Sequence, residues 1–595
     1  MGSNPLQAQS LVSAARELLI PGSGYEQVDR IVTGLKRSDL SGVASLRPLR
    51  VKILGNITTD YITDYIRLML VRAGYAPSLE AGHYGSLVRG LMGEVALTPD
   101  ACDAAVVILT HRDIQFPPRP GATMAEAREL VEREAGFWSS LLEHCKVPTA
   151  IVSFDLPPYR VLDEQDGLAA GGLSWHVKMT NLELAARLPG TAAFIDAEAL
   201  QYRLGAARWH DSHLYHLCKQ PFSMEALPEI THTIVAALIG LLGRGRKVLA
   251  LDLDNTLWGG VIGDDGLQGI ELGPETPDGE AFVAFQRYIK NLSQRGIILA
   301  VCSKNRDEVA RSPFHKHSAM VLKEDDISCF VANFQDKASN LRHIAKTLNI
   351  GIDSIVFVDD NPVECALIRS ELPEVLVVEL SEDASDHIRA LEASKAFPLR
   401  TLTSEDLGRV ASYRAMGAVR DAAAAPGTDM EQFLAGLEPQ AFVEKVDSSS
   451  VDRIVQLIRK TNQFKLNLST FQEADIFEGA DGVVALRLAD RLQDYGIVAI
   501  AVTRPADGIL NIQNWVMSCR VFGRRLENLM LEILRDKARQ LGCTNIQAGY
   551  VATEKNVILP EVLLRIGFTA AANTYSTGVQ AGSVEPHYMT IIYRR

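Results

Sequence analysis

Two carboxylates two residues apart close one of the most apolar runs of the chain. Leu249-Ala250-Leu251-Asp252-Leu253-Asp254-Asn255-Thr256-Leu257-Trp258-Gly259-Gly260 passes from aliphatic residues into acids, a threonine and glycines. Side chains alternate faces along a strand, so Asp252 and Asp254 leave it on the same side. Parallel sheets carry their ligands at the carboxyl ends of the strands. Two acids at the tip of a buried parallel strand therefore imply a metal and phosphate site, not a packing feature. The chemistry implied is phosphoryl transfer with an aspartate nucleophile.

The rest of the chain repeats the alternation of apolar strands with amphipathic helices, which predicts an α/β multidomain protein. At 595 residues it should hold about three or four domains. Residues 1–45 read as a weakly helical lead-in. Over 46–243, strands at 51–54, 104–110, 148–154 and 192–196 alternate with helices at 59–74 and 122–145. Over 244–400, strands at 247–253, 296–302, 354–358 and 375–378 alternate with helices around 279–294, 336–348 and 361–371. The small-residue run Ala422-Ala423-Ala424-Ala425-Pro426-Gly427 marks a break within a linker at 401–430. Over 431–595 the pattern changes. Helices at 429–437 and 449–460 precede strands near 483–488, 496–503, 509–516 and 545–550, set around a long helix at 525–541. That is an α+β, acyltransferase-like arrangement.

Composition excludes several classes. A formal net charge of −13 argues against a nucleic-acid partner, because phosphate contacts need a basic surface. Eight cysteines, none in a CxxC pair, make neither a disulfide framework nor a cysteine-held structural zinc, and a reducing cytoplasm is the simplest compartment. No apolar run reaches the roughly 18–20 residues needed to span a bilayer. Met1–Leu6 reads as neither a signal peptide nor a myristoylation site.

Three more segments belong with Asp252 and Asp254. The strand 296–302 leads into Cys302-Ser303-Lys304-Asn305, Lys337 opens a helix, and Val356-Phe357-Val358-Asp359-Asp360-Asn361 ends another apolar strand in acids. Together they supply a nucleophile, Mg²⁺ ligands, a phosphate donor and a cation. Their order and content resemble the haloacid dehalogenase (HAD) phosphatase superfamily. The resemblance implies Asp252 as nucleophile and Asp254 as acid/base. It implies Ser303 and Lys337 on the phosphoryl group with Thr256, Lys304 and Asn305 beside them. Asp252, Asp254, Asp359 and Asp360 would surround Mg²⁺.

A closer resemblance rests on Asp252–Gly266, Cys302–Asn305 and Phe357–Glu364, together with Lys460-Thr461-Asn462-Gln463-Phe464 and Met517-Ser518-Cys519-Arg520-Val521-Phe522-Gly523-Arg524. Over roughly 247–570 the chain looks like the FkbH-like family, which joins a HAD-like Rossmannoid domain to a GNAT-like α+β domain. Residues 46–240 resemble more loosely the SGNH-hydrolase-like α/β domain of its longer members. The resemblance implies that D-1,3-bisphosphoglycerate loads its acyl group onto a protein cysteine. The 3-phosphate is then removed, and a glyceryl unit passes to the phosphopantetheine thiol of a holo acyl carrier protein in polyketide-type biosynthesis. The thiol is expected at Cys519, with Cys302 as the competing position. The turn Arg520, Phe522, Gly523, Arg524 and Arg525 would bind the pantetheine phosphate through backbone N–H groups and positive charge. Arg525 departs from the acyl-CoA turn pattern. Two other functions stay open: a Mg²⁺-dependent small-molecule phosphatase fused to an acyl-CoA-dependent N-acyltransferase, and a non-catalytic synthase scaffold.

In the first block, Leu54-Gly55-Asn56-Ile57-Thr58-Thr59 lacks the serine an SGNH hydrolase needs after its first strand. Thr58 or Thr59 would have to stand in, with Asn181 and Asp211-Ser212-His213 as remnants of the other blocks. His210, His213 and His216 lack the glutamate of a zinc-helix motif. A docking or structural role is expected there rather than hydrolysis.

Overall fold

The computed structural model describes residues 5–18, 25–399, 402–424, 430–447, 450–461, 463–469, 471, 473–553, 555–580 and 587–594. The chain divides into two compact units, 1–242 with 398–400, and 243–397 with 401–595.

The first unit is built on β1 (Arg47–Gly55), β2 (Tyr75–Ala81), β3 (Ala104–Ile108), β4 (Thr149–Val152) and β5 (Ala192–Ile195), in the order β2-β1-β3-β4-β5. Every pairing is parallel. β3 and β4 are buried along their whole length, as strands covered on both faces must be. Helices Pro5–Glu17, Tyr25–Arg37, Asp60–Arg72 and Leu227–Leu241 bring Val12, Leu35, Ile66 and Ile234 to one face. Met124–Leu142 and Leu173–Arg187 bring Trp138, Leu142, Val177 and Leu184 to the other. The sequence reading missed β2, whose Ser78-Leu79-Glu80 are not fully buried, as befits the sheet's edge.

The second unit opens with another parallel sheet, β6 (Val248–Leu251), β7 (Ile298–Ser303), β8 (Ile327–Ala332), β9 (Ile355–Asp359) and β10 (Leu376–Glu379), in the order β10-β9-β6-β7-β8. β6 is central and wholly buried, so the run that ends in Asp252 is the axis of the sheet. Leu249 and Leu251 face one apolar cluster and Val248 and Ala250 the other. β8 was not foreseen, because its Ile-Ser-Cys-Phe-Val-Ala is mixed in polarity and follows the acidic Glu324-Asp325-Asp326.

The unit continues into a mixed sheet of β11 (Gln440–Glu444), β12 (Phe464–Lys465), β13 (Val483–Ala489), β14 (Asp494–Ala506), β15 (Ile509–Met517), β16 (Asn545–Gly549), β17 (Thr569–Ala571), β18 (Thr574–Gly578) and β19 (Thr590–Tyr593). Its order is β17-β18-β16-β15-β14-β13-β11-β19, with β12 on β15. β15 pairs with β16 only over 509–512, and its far end is taken by β12 at Val516 and Met517. Helix Leu526–Gln540 follows the turn after β15. Cys519 lies two residues beyond the end of β15. β15 stops at Met517, and Ser518 caps a short helical turn over Cys519–Val521 by accepting the Arg520 N–H. Within 401–430 the chain forms helix Arg409–Ala424, while Ala425-Pro426-Gly427 of the expected break lie outside the described residues, as does Asn462. No described helix is long and apolar enough to cross a membrane.

Phe357 lies in β9 with no exposed surface, two residues before Asp359, the acid that ends the strand. Phe357→Ala should destabilise the second unit by about 3–5 kcal/mol, read as a lower urea midpoint. A loss under about 1 kcal/mol would mean that the sheet does not depend on this packing.

Candidate active site

The carboxyl ends of the second unit's parallel strands deliver the predicted residues to one place. Asp252 follows β6, Ser303 ends β7, Asp359 ends β9, and Lys337 is the first residue of the helix after β8. That helix starts where it does because Asp336 caps it, accepting the Ser339 N–H. The capping fixes the direction of Lys337, whose Nζ lies 2.8 Å from Asp252 Oδ2 and 2.5 Å from Asp359 Oδ2. All three residues are buried. Burial alone would drive protons onto such acids and off such an amine. Asp252 and Asp359 overcome that burial and hold the Lys337 ammonium above its ordinary value. Burial, and then the charge of Asp252, push the Asp359 carboxyl up to about 7. Asp360 is raised for the same two reasons.

Carboxylate oxygens of Asp252, Asp359 and Asp360 lie within 4.8 Å of one another. Asp252 Oδ1 is buried with no hydrogen-bond partner, since Lys337 takes only Oδ2. A buried, unpaired anionic oxygen in an all-oxygen cluster suits a hard cation. Asp254, expected among the metal ligands, has its carboxylate outside this set. Its Oδ1 accepts the Trp258 indole N–H at 3.0 Å and the Ile262 N–H at 2.9 Å, and its Oδ2 accepts Asn305 Nδ2 at 2.8 Å. Three donors hold it turned away from the cluster. That geometry suits an acid/base group, and Asn305, expected beside the phosphoryl group, bonds Asp254 here.

The remaining predicted phosphate contacts divide. Ser303 is buried beside Asn305, its Oγ 3.4 Å from Asn305 Nδ2. Thr256 is fully buried with its hydroxyl 3.5 Å from Asp360 Oδ1, so it faces an acid. Lys304 is ion-paired with Glu364. The roles of Trp258 and Ile262 were missed. The spacing of four between Asp254 and Trp258 was the one available signal.

The two candidate thiols sit in different surroundings. Cys302 is fully buried, its Sγ 3.8 Å from the Lys337 carbonyl, and burial pushes its thiol far up. Cys519 is partly exposed, its Sγ 3.5 Å from the Tyr413 hydroxyl. Burial, and then Cys519 itself, raise the Tyr413 phenol well above its ordinary value, so it stays protonated and can donate to the sulfur. Tyr413 is 106 residues from Cys519, and nothing in the sequence linked them. Cys519 also interacts with Lys247, which precedes β6. Nearby, Arg409 donates to the Gly296 carbonyl ahead of β7, and Lys555 pairs with Asp353 ahead of β9. These are amino ends of the same strands. Cys519 thus lies toward the amino ends of these strands, whereas Asp252 stands at their carboxyl ends, about 16 Å from Lys247 at the usual strand rise.

The expected pantetheine turn carries less free charge than its three arginines suggested. Arg524 is buried and spent on Asp490 and the Tyr495 hydroxyl, so it is not a phosphate contact in this conformation. Arg520 is buried against Ser518 and Ser412, each at 3.2 Å. Arg525 pairs with Glu431 at 2.9 Å and lies over the Tyr588 ring. Phe522 stands edge-on to Phe464. Gly523 takes φ +77° with nothing near its missing Cβ, the backbone freedom this turn uses.

In the first unit, the Thr58 hydroxyl donates to the Cys218 carbonyl, and Thr59 immediately precedes the helix Asp60–Arg72. Asn181 pairs with the Phe154 backbone, and Asp211 caps the helix Ser212–Cys218. The histidine trio is split, with His210 turned inward and His213 and His216 exposed.

No protein-family model matches the chain, and no curated protein matches it. Among solved structures, the N-terminal part of the protein BF1531 from Bacteroides fragilis, containing a phosphatase domain complexed with Mg, is 30% identical with a TM-score of 0.56, over 62% of this chain and 99% of that one. The chain belongs to the family of that phosphatase-domain protein. Two matches to smaller proteins cover about a quarter of the chain. The ribosomal-protein-S18-alanine N-acetyltransferase from Escherichia coli is 10% identical, with a TM-score of 0.20 over 25% of this chain and 99% of that one. A GCN5-related N-acetyltransferase from Kribbella flavida is 10% identical, with a TM-score of 0.18 over 24% of this chain and 98% of that one.

The raised Asp359 carboxyl gives a sign to the pH response. A group whose folded pKa exceeds its ordinary value of about 3.9 stabilises the fold at low pH and loses that contribution as pH rises through the folded value. Metal-free protein should therefore lose stability towards pH 7, the value near which Asp359 titrates. A divalent cation competes with that proton, so the gain in Tm on adding Mg²⁺ should grow from about pH 5 to about pH 8. Thermal melts with and without chelator read this directly; a gain independent of pH would remove Asp359 from the metal site.

Proposed function

We propose that the chain is a phosphatase and acyl transferase acting on a glyceryl group in transit. It takes D-1,3-bisphosphoglycerate, forms a cysteine thioester, removes the 3-phosphate and delivers the glyceryl unit to the phosphopantetheine thiol of a holo acyl carrier protein. Polyketide-type biosynthesis in the cytoplasm is the setting this reading implies. The observation that carries it is the buried Asp252–Lys337–Asp359 group with the unpaired Asp252 Oδ1.

In the phosphatase step, Asp252 attacks phosphorus and the bond from phosphorus to the glyceryl oxygen breaks. Asp254, held by Trp258, Ile262 and Asn305, gives the leaving oxygen its proton. It then takes a proton from the water that hydrolyses the aspartyl-phosphate. Asp252, Asp359 and Asp360 would hold Mg²⁺, which supplies charge neutralisation for the phosphoryl oxygens. The Lys337 ammonium, paired with Asp252 Oδ2, adds a second positive charge at the site.

For the acyl step, Cys519 is the thiol favoured by exposure and by its Tyr413 neighbour, whereas Cys302 is sealed and strongly disfavoured as a thiolate. The thiolate attacks the acyl carbon of the acyl phosphate and inorganic phosphate leaves. The carrier thiol later displaces Cys519. Cys519 lies toward the amino ends of the strands and Asp252 at their carboxyl ends, so the acyl group is not presented to both in one fixed pose. The same separation also favours a second reading, in which phosphatase and acyl-CoA-dependent N-acyltransferase work independently. That reading forms no thioester adduct.

Incubation with bisphosphoglycerate, Mg²⁺ and holo-carrier, followed by intact-protein mass spectrometry, distinguishes them. Asp252→Asn should cut phosphate release from the 3-position by more than about 10³-fold and leave 3-phosphoglyceryl on enzyme or carrier. Normal glyceryl-carrier from this variant would end the phosphatase assignment. Cys519→Ala should form no covalent adduct. An adduct that survives in Cys519→Ala and vanishes in Cys302→Ala transfers the thiol role to Cys302.

A further inference from the structure

The first unit holds a buried cluster that the phosphoryl chemistry does not use. His111 follows β3 and Asp155 follows β4, both at carboxyl ends of the parallel sheet, and His210 joins them from the segment after helix Ala206–Trp209. Their side chains are 1%, 1% and 6% exposed. Asp155 Oδ1 accepts the His111 backbone N–H at 2.8 Å and lies 2.8 Å from His111 Nδ1. Asp155 Oδ2 accepts the Trp209 indole N–H at 2.9 Å. With its proton on Nδ1, His111 is left with a lone pair on Nε2, which is buried and has no hydrogen-bond partner.

His210 is set the other way. Its Nε2 lies 2.9 Å from the Leu156 carbonyl and 3.1 Å from the Gln201 amide nitrogen; in the tautomer that donates Nε2–H to that carbonyl, the lone pair is on Nδ1. That lone pair stands 3.7 Å from Asp155 Oδ2. Two acceptors facing each other in a buried site repel unless a positive charge lies between them. The spacing suits a metal ion, because bonds of about 2.0–2.2 Å at a tetrahedral centre set ligand atoms about 3.4 Å apart. One ring nitrogen from each histidine and an Asp155 oxygen lie within 4.8 Å of one another. Two imidazoles and a carboxylate are a zinc-type donor set, unlike the all-oxygen cluster at Asp252. The bond from His210 Nε2 to a backbone carbonyl is the outer contact that orients ligating imidazoles.

We propose that His111, Asp155 and His210 form a second metal site, which takes Zn²⁺ or a similar transition ion that prefers nitrogen. The absence of CxxC pairs and of a zinc-helix motif excludes only ligands clustered in sequence. Here they are drawn from positions 111, 155 and 210, brought together by strand order. Tyr159, half exposed, stands edge-on to His111, so the site lies one side chain below the surface.

The test uses the untagged full chain, stripped with chelator and titrated with Co²⁺ in excess Mg²⁺. Cobalt is read by its visible ligand-field absorption, and zinc by elemental analysis of a parallel sample. One tightly held equivalent is expected in the wild type and equally in Asp252→Asn. Its affinity should fall by at least about tenfold in His210→Gln and in His111→Ala, each checked for native circular dichroism. No retained equivalent in the wild type overturns the proposal without needing any variant to fold, and leaves the cluster as a protonated hydrogen-bond network. An equivalent lost in Asp252→Asn but kept in His210→Gln overturns it too, by assigning the ion to the phosphoryl site.

Discussion

The ammonium of Lys337 between Asp252 and Asp359 is the contact on which the catalytic end of the second unit depends. Two buried carboxylates cannot both stay ionised side by side without a compensating charge. Lys337 supplies that charge from a helix whose start is fixed by the Asp336 cap. One oxygen of Asp252 is left outside the pairing, and that buried, unpartnered oxygen is what distinguishes the group from a closed ion pair. Removing the lysine would leave two uncompensated acids, so the group is stable only as a set.

From this set the division of labour between the two aspartates follows. Asp252 faces a cation and has a free oxygen, which suits a nucleophile. Asp254 has both oxygens engaged by neutral donors, which suits a group that must gain and lose a proton. Their side chains leave the strand two residues apart and still enter different surroundings, because the chain turns after Leu253 and Asn255 takes a left-handed φ of +51°.

The parallel sheet separates functions along its length. Its carboxyl ends carry the Asp252, Lys337 and Asp359 cluster, and its amino ends lie beside Tyr413, Cys519 and Lys555. Burial makes Cys302, on β7 of the same sheet, a poor thiol. Its strand position points the sulfur into a sealed apolar cluster while its neighbour Ser303 lies beside the catalytic residues.

Much of the catalytic end was legible because strand tips are written locally. Apolar runs ending in acids, a Ser after a run and a Lys opening a helix each announce themselves within a few residues, and in a parallel sheet all such tips converge. The mixed-polarity β8 and the edge strand β2 were not legible, because burial there is partial. The thiol's surroundings were not legible either: Tyr413 meets Cys519 across 106 residues, and Arg524 is neutralised by Asp490 from another strand's turn. The same holds for His111, Asp155 and His210, which share no spacing pattern. The sequence by itself determined which residue types stand at the ends of buried strands, since periodicity and apolar content are local properties of the chain. Only the tertiary structure decided which charges are paired, which oxygen is left unpaired and which sulfur is exposed. Those outcomes depend on through-space distance and desolvation, and neither is encoded in any single segment.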